Sequence, residues 1–225
     1  MTPASLDSAT SDIRQFLRAH FPTVAYGIQP IGPDVPSPLK EETHLLSPNA
    51  VLKRRLEFAA GRHAARVALR TLGRTPMAIG KGDFGQPLWP EGVLGSITHT
   101  EHLALALTTT DSNANGIGLD LELVKRFRPD LAEAVLTPSE LEKCERQIDL
   151  AAYFSAKEAT YKAIFPTLGK VVGFQDVELS FTNNGKCFSA AAVSGFSTLF
   201  PQGESFLQGR VLATEGMILS VAVFG

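Results

Sequence analysis

Two carboxylates, Asp120 and Glu122, stand at i and i+2 in Ile117-Gly118-Leu119-Asp120-Leu121-Glu122-Leu123. A strand puts alternate side chains on opposite faces, so Ile117, Leu119, Leu121 and Leu123 are expected to enter a core while both acids point the other way. Two carboxylates ~4 Å apart repel by about 1 kcal/mol in water and about 4 kcal/mol at a protein-surface dielectric. A divalent cation that prefers hard oxygen ligands, Mg²⁺ or Mn²⁺, relieves that repulsion. Taken alone, a solvated strand face accounts for the pair as simply. Downstream lies Phe154-Ser155-Ala156-Lys157-Glu158-Ala159-Thr160-Tyr161-Lys162. On a helix Glu158 and Lys162 are i,i+4 neighbours. A third carboxylate and an ammonium beside a metal could do acid and base work on a phosphate ester. Taken alone, a surface ion pair would explain them. Both patterns in one chain are less easily a coincidence.

The elements that must carry these residues read as α+β. Asp12 to Phe21 has a short helical pattern, Val24 to Ile28 reads as a strand, and Gly32 to Pro38 is a Pro/Gly-rich loop. Ser47-Pro48 reads as an N-cap with Pro at the first helical position, opening a helix that stops at Gly73. Its expected apolar stripe is Leu52, Leu56, Ala59, Ala60, His63 and Val67, with basic residues elsewhere. Val93 to Ile97, Leu103 to Leu107 and Gly116 to Leu123 read as strands, the last two predicted as a hairpin across the polar link Thr108 to Asn115. Thr137-Pro138-Ser139-Glu140 is a capping box. A further helix is expected from Ile148-Asp149 to about Phe165. Val177 to Phe181, Lys186 to Val193, Phe206 to Thr214 and Met217 to Phe224 complete a sheet, with Asn184-Gly185 as a hairpin turn.

The chain has 225 residues, 44% hydrophobic and 20% charged, with a net charge of −2. That is ordinary globular composition, with no global basis for binding nucleic acid or an acidic membrane. Cys144 and Cys187 form no CxxC or Cys/His cluster, which removes a zinc knuckle or disulfide scaffold and makes a reducing cytoplasm the expectation. No apolar run nears the ~20 residues of a membrane span, and residues Met1 to His20 do not read as a signal peptide. Gly80 to Gly85 matches GxGxxG. Pro87 and Pro90 follow at once, and a dinucleotide site needs a helix there, so this motif is set aside.

The two acidic segments resemble the double signature of 4'-phosphopantetheinyl transferases of the Sfp type, a G-[IV]-D-x-E strand followed some forty residues on by an [FW]-[SC]-x-K-E-[SA]-x-x-K helix. Asp120 to Glu158 is 38 residues, and Leu119 replaces the usual Ile or Val. Lys53 to Phe58, Ala60 to His63, Lys81 to Pro90 and Gly95 to His99 are similar to the enterobactin-synthetase component D branch and its actinobacterial relatives. The resemblance implies two similar α/β halves related by a pseudo-twofold axis, residues 1–115 binding coenzyme A phosphates and residues 116–225 binding metal and doing the chemistry. Coenzyme A would lie in the cleft between them. It implies Mg²⁺ (or Mn²⁺) on Asp120, Glu122 and Glu158. Glu158 would accept the proton of a carrier-protein serine, Lys162 would meet the leaving adenosine 3',5'-bisphosphate, and Lys157 would hold phosphates. Arg54, Arg62, Lys81, Thr98 and His99 would bind coenzyme A, with Arg55 the rival of Arg54. Gln86 stands where some relatives have a phosphate-binding Lys. Trp89 and Tyr161 are expected in the core. The expected partners are apo acyl or peptidyl carrier proteins, docking near Asp130 to Lys143 on an exposed apolar patch, with Lys125, Arg126 and Arg128 as possible steering charges. A cytoplasmic monomer is expected, serving nonribosomal peptide, siderophore, polyketide or fatty-acid synthesis. A non-catalytic carrier-binding module and another metal-dependent phosphotransferase are the alternatives.

Overall fold

Local signals set most of the elements in the computed structural model, which describes residues 2–194 and 200–225. The chain divides into two units, Met1–Asp111 and Ser112–Gly225. Helices and antiparallel sheets make the class α+β, as expected.

In the first unit, helix α1 (Pro3–His20) starts well before Asp12. Thr2 and Ser5 cap each other reciprocally and Pro3 takes the first turn, a start signal that outweighs the later periodicity. Strand β1 (Ala25–Pro30) follows, then helix α2 (Leu52–Thr71). Short strands β2 (Gly80–Lys81) and β3 (Pro87–Leu88) form a two-stranded ribbon, and β4 (Leu94–His99) and β5 (Leu103–Thr109) complete a sheet of order β1-β5-β4. The Gly80–Gly85 segment is thus a hairpin without a following helix, in keeping with its rejection as a dinucleotide motif. Gly85 carries a φ of 86° at its turn.

The α2 expectations need two corrections. The helix begins at Leu52, not at Pro48, because Ser47 to Ala50 closes its own turn through Ala50 N–H to Ser47 O. Arg55 then holds the carbonyls of Pro48 and Ala50. The buried stripe is also wider and rotated. Leu52 is exposed, while Ala64, Ala65, Ala68 and Leu69 form the core and Arg62 and Arg66 are buried. The Arg flank is covered by two segments: Arg62 donates to the Gly80 carbonyl and Arg66 to Glu42, which also accepts from Ile79 N–H. The helix does end as expected, with Gly73 at φ 78°.

The expected hairpin between the strands at Leu103 and Gly116 is also absent. β5 lies between β1 and β4, whereas β6 (Gly116–Leu123) heads a second sheet, in the second unit, and pairs with the last strand. The link instead leads Asn115 N–H to the Phe224 carbonyl. Strand patterning reports a strand's faces but not its partner.

The second unit continues with the one-turn helices α3 (Ala132–Val135) and α4 (Pro138–Leu141), then α5 (Gln147–Leu168). Strands β7 (Val177–Thr182), β8 (Cys187–Ala192), β9 (Ser205–Thr214) and β10 (Met217–Phe224) give the sheet order β6-β10-β9-β8-β7, antiparallel throughout. The Asn184-Gly185 hairpin forms, with φ positive from Asn183 to Gly185. Helix α5 outruns its expected end at Phe165, because Pro166 in a last turn removes only one helical bond before Gly169 caps it.

Helix α5 sits directly on β6. A Cβ at Gly116 would lie 1.8 Å from the Ala163 carbonyl oxygen, and one at Gly118 would lie 1.7 Å from that of Ala159. Only glycine permits this approach. The face shared by Gly116, Gly118, Asp120 and Glu122 therefore lies under α5 and not in open water, so β6 is buried on both faces.

Candidate active site

Strand parity and helix seating together bring the acids to Lys162. Its Nζ lies 2.7 Å from Asp120 Oδ1 and 3.0 Å from the Leu119 carbonyl. Ser155, one helical turn before Glu158, donates its hydroxyl to the Asp120 carbonyl at 3.4 Å. Asp120 is almost fully buried, while Glu122 and Glu158 are partly exposed. Arg126 Nη1 approaches Glu122 Oε2 at 3.5 Å.

The three acids feel one another. Burial, then the charge of Asp120, pushes the Glu122 carboxyl from the ordinary 4.5 up to about 7, with Arg126 and Lys162 opposing and Glu158 adding. Burial also raises Glu158, countered by Lys162 and reinforced by Asp120. Among the described residues no three His, Cys, Asp or Glu side chains converge as a finished metal cage. Mg²⁺ does not require one. It is held by one or two carboxylates, with waters and substrate phosphates completing the octahedron. Hard oxygen donors, among them a Glu122 raised first by burial and then by the charge of Asp120, fit such an ion.

Lys157 departs from its expected role. Its side chain is fully buried, 2.7 Å from Glu140 Oε2, and Nζ donates to the carbonyls of Val135 (2.9 Å) and Phe174 (2.6 Å). An ammonium has three hydrogens, and these three partners use them all. Burial lowers the pKa of Lys157 and Glu140 offsets the effect. The reason lies on the other side of the pair. Glu140 takes N–H bonds from Thr137 in the capping box and from Leu179 on β7, so a buried carboxylate at this junction needs a counter-charge. Lys157 is thus committed to Glu140 and two carbonyls in this structure, a structural role in place of the phosphate contact expected of it.

In the first unit, Arg54 Nη1 lies 3.1 Å from His99 Nε2. A guanidinium only donates, so His99 Nε2 is placed to accept from Arg54, and Nδ1 lies 3.4 Å from the Thr100 carbonyl. Arg62 is packed over the Phe58 ring, 4.7 Å from its centroid, and bonds the Gly80 carbonyl on β2 beside exposed Lys81. Arg66 is committed to buried Glu42 at 2.7 Å. Thr98 alternates to the opposite face of β4 from His99 and is buried, so the structure does not bring it to the Arg54–His99 pair. Arg55 is committed to two carbonyls, which distinguishes it from Arg54. The Gln86 amide oxygen accepts from Phe84 N–H within the hairpin. Trp89 packs against the first unit's core with Nε1 on the Gly95 carbonyl, and Tyr161 caps the Gly173 carbonyl. In the predicted docking segment Leu131 and Leu141 are exposed, as are Arg126 and Arg128.

Sequence reading does not single out Glu42 and gives Glu140 only as part of a capping box. It also missed Ser155 and Ser220. A serine between Ile218 and Ala222 on an otherwise apolar strand face was the available signal.

The family model described as the 4'-phosphopantetheinyl transferase N-terminal domain matches residues 41–109, and that of the 4'-phosphopantetheinyl transferase superfamily matches residues 116–210. The chain is 34% identical over 213 residues to the 4'-phosphopantetheinyl transferase PptT of Mycobacterium tuberculosis, covering 90% of this chain and 93% of the relative. The chain belongs to the 4'-phosphopantetheinyl transferase superfamily. This transferase is also 34% identical to Npt of Nocardia iowensis, over 81% of this chain and 87% of the relative. It is 35% identical to enterobactin synthase component D of Salmonella typhimurium, over 72% of this chain and 67% of the relative. A solved holo-(acyl-carrier-protein) synthase from Thermotoga maritima matches 49% of this chain and 63% of its own at 25% identity. Its TM-score of 0.40 is too low to weigh on the fold. The transferase is thus an enzyme that moves the phosphopantetheine arm of coenzyme A to carrier proteins, related to the component D and actinobacterial members, as the double motif indicates. Among the described residues no helix is long and apolar enough to cross a membrane.

Proposed function

We propose that the acid cluster on β6 and α5 performs the transfer, and that the basic cluster around α2 and β4 grips coenzyme A. The observation that carries this reading is Lys162 seated on Asp120 at 2.7 Å beneath the glycine-seated helix, where the charge of Asp120 is felt by both Glu122 and Glu158. A carrier serine oxygen bonds to the β-phosphorus as the pyrophosphate P–O bond breaks. Glu158 takes the serine proton; burial raises its carboxyl above the ordinary carboxylate range, which makes it a stronger base than an exposed glutamate. Lys162, held by Asp120, meets the charge of the departing adenosine 3',5'-bisphosphate. Asp120, Glu122 and Glu158 would hold Mg²⁺ or Mn²⁺, which would supply positive charge against that developing on the phosphoryl oxygens. Arg54 and His99, flanked by Arg62 and Lys81, bind the nucleotide phosphates. The clients are carrier proteins of nonribosomal peptide, siderophore, polyketide or fatty-acid synthesis, met by a cytoplasmic monomer.

The test is the intact mass of apo carrier proteins after incubation with the enzyme, coenzyme A and Mg²⁺. A gain of one phosphopantetheine, lost with EDTA, is expected. Carriers unchanged while coenzyme A still binds in calorimetry would instead indicate a binding module.

Arg54→Ala is expected to raise the KM for coenzyme A about 10- to 100-fold, the weight of a charge-assisted bond, while kcat changes little. Arg55→Ala, whose partners are carbonyls, is expected to leave KM unchanged. Equal effects of the two on KM would count against the Arg54–His99 grip.

The elevated Glu122 carboxyl also predicts a pH dependence. Its folded pKa of about 7 exceeds the unfolded 4.5, so the metal-free folded state binds the extra proton. Stability from this group is fully present below pH 4.5 and is lost as pH rises through 7. A cation replaces that proton. Mg²⁺ is therefore expected to raise the melting temperature more at pH 8 than at pH 5, read by scanning calorimetry. An equal rise at both would remove Glu122 from the metal site.

A further inference from the structure

We propose that Ser220 is a positioning residue for Asp120, its hydroxyl steadying the carboxylate in the orientation that receives the metal; this rests on the metal reading given under Proposed function. Ser220 and Asp120 are direct cross-strand partners in the β10–β6 register. Opposed residues of an antiparallel pair share one face, with Cβ atoms roughly 4.5–5.5 Å apart. The hydroxyl is therefore within a rotation or a single bridging water of the carboxylate.

The surroundings single this serine out. The same face of β10 carries Ile218, Ala222 and Phe224, all packed in the core that includes Ala156, Ala159 and Ala163 of α5. On the other side Ser220 faces Val211 of β9. Of its two direct cross-strand partners Asp120 is the charged one, with Glu122 one pair further along the same face, opposite Ile218. Ser220 is fully buried and its Oγ makes no hydrogen bond. A hydroxyl held in an apolar face without a partner destabilises a fold, and alanine would fill the same place. The other buried hydroxyls of this helix–sheet layer are bonded, Ser155 to the Asp120 carbonyl and Thr160 to the Ala156 carbonyl. Thr108 in the first unit also has an unbonded buried hydroxyl, but its cross-strand partners are Ala25 and Gly95, with no carboxylate in register. Groups that orient a metal-binding carboxylate are worth about 10- to 100-fold in metal affinity.

The experiment compares the wild-type enzyme, Ser220→Ala, Ser220→Thr and Asp120→Ala by Mn²⁺ titration followed by electron paramagnetic resonance, with melting temperatures of the metal-free proteins. Ser220→Ala is expected to bind Mn²⁺ about 10-fold more weakly while melting at the same or a higher temperature, and Ser220→Thr to restore affinity. A purely structural serine would give the opposite pattern, a lower melting temperature with Mn²⁺ affinity retained, and would overturn the proposal. Unchanged affinity in Ser220→Ala overturns it too. Should the extra methyl keep Ser220→Thr from folding, the alanine variant decides alone. Absence of Mn²⁺ binding by the wild type, or its persistence in Asp120→Ala, would refute the metal reading itself, an outcome distinct from failure at Ser220.

Discussion

Lys157→Met is expected to lower stability by about 3–5 kcal/mol, the effect of leaving one member of a buried ion pair uncompensated. For a chain of this length that corresponds to a melting temperature lower by roughly 6–20 °C. Glu140 would remain in a site with no access to water, still bound to the N–H groups of Thr137 and Leu179. The double variant Lys157→Met with Glu140→Gln is expected to recover part of the loss, since the amide keeps an acceptor and drops the charge. Family position assigns Lys157 to phosphate, whereas its geometry assigns it to Glu140, and the two assignments diverge under assay. A phosphate-binding lysine would leave melting nearly unchanged and raise the KM for coenzyme A. Calorimetry of the variants with kinetics of the surviving folded fraction separates them. Normal melting with an elevated KM would return Lys157 to the substrate.

Glu158→Gln is expected to lower kcat by about 10²- to 10⁴-fold, the usual contribution of a positioned general base. Melting temperature should change little, and the rate is read at saturating Mg²⁺ because Glu158 is also a proposed metal ligand. Burial already disfavours the charged form of Glu158, so a neutral amide of the same shape does not disturb the packing. Lys162 remains tied to Asp120 and the Leu119 carbonyl in this variant, so loss of kcat would not reflect a displaced ammonium. The measurement is the holo-carrier formation rate at saturating coenzyme A and carrier. A kcat within threefold of wild type would assign the proton to another group or to solvent.

The sequence made the chemistry legible where spacing alone decides it. The i,i+2 acids of β6 and the i,i+4 pair of α5 needed only local periodicity, and β6 and β10 run between the residues their patterns indicate. The capping box at Thr137 forms for the same reason. What spacing could not show was which elements meet. Pairing of β6 with β10 and not with β5 depends on contacts a hundred residues apart. The burial of Arg62, Arg66 and Lys157 depends on acids and carbonyls from distant segments, so a basic helix face and a motif lysine both looked free for phosphate. Glycines 116 and 118 read as strand residues of no particular weight, yet they set how closely α5 lies on the sheet.

Lys157 and Glu158 are consecutive, and consecutive residues project about 100° apart around a helix. The inward member of this couple therefore governs the rotational phase of α5. A carboxylate at the outer radius of a helix, about 6 Å from its axis, sweeps about 2 Å when the helix turns by 20°. A displacement near 1 Å can lower a rate on the order of 10²-fold. The ion pair with Glu140 thus acts as a key in a slot, with its torque borne by two backbone carbonyls. A variant that loosens it without unfolding the protein would blur the aim of the neighbouring base, and the defect would register in kcat although no group that touches substrate had been altered.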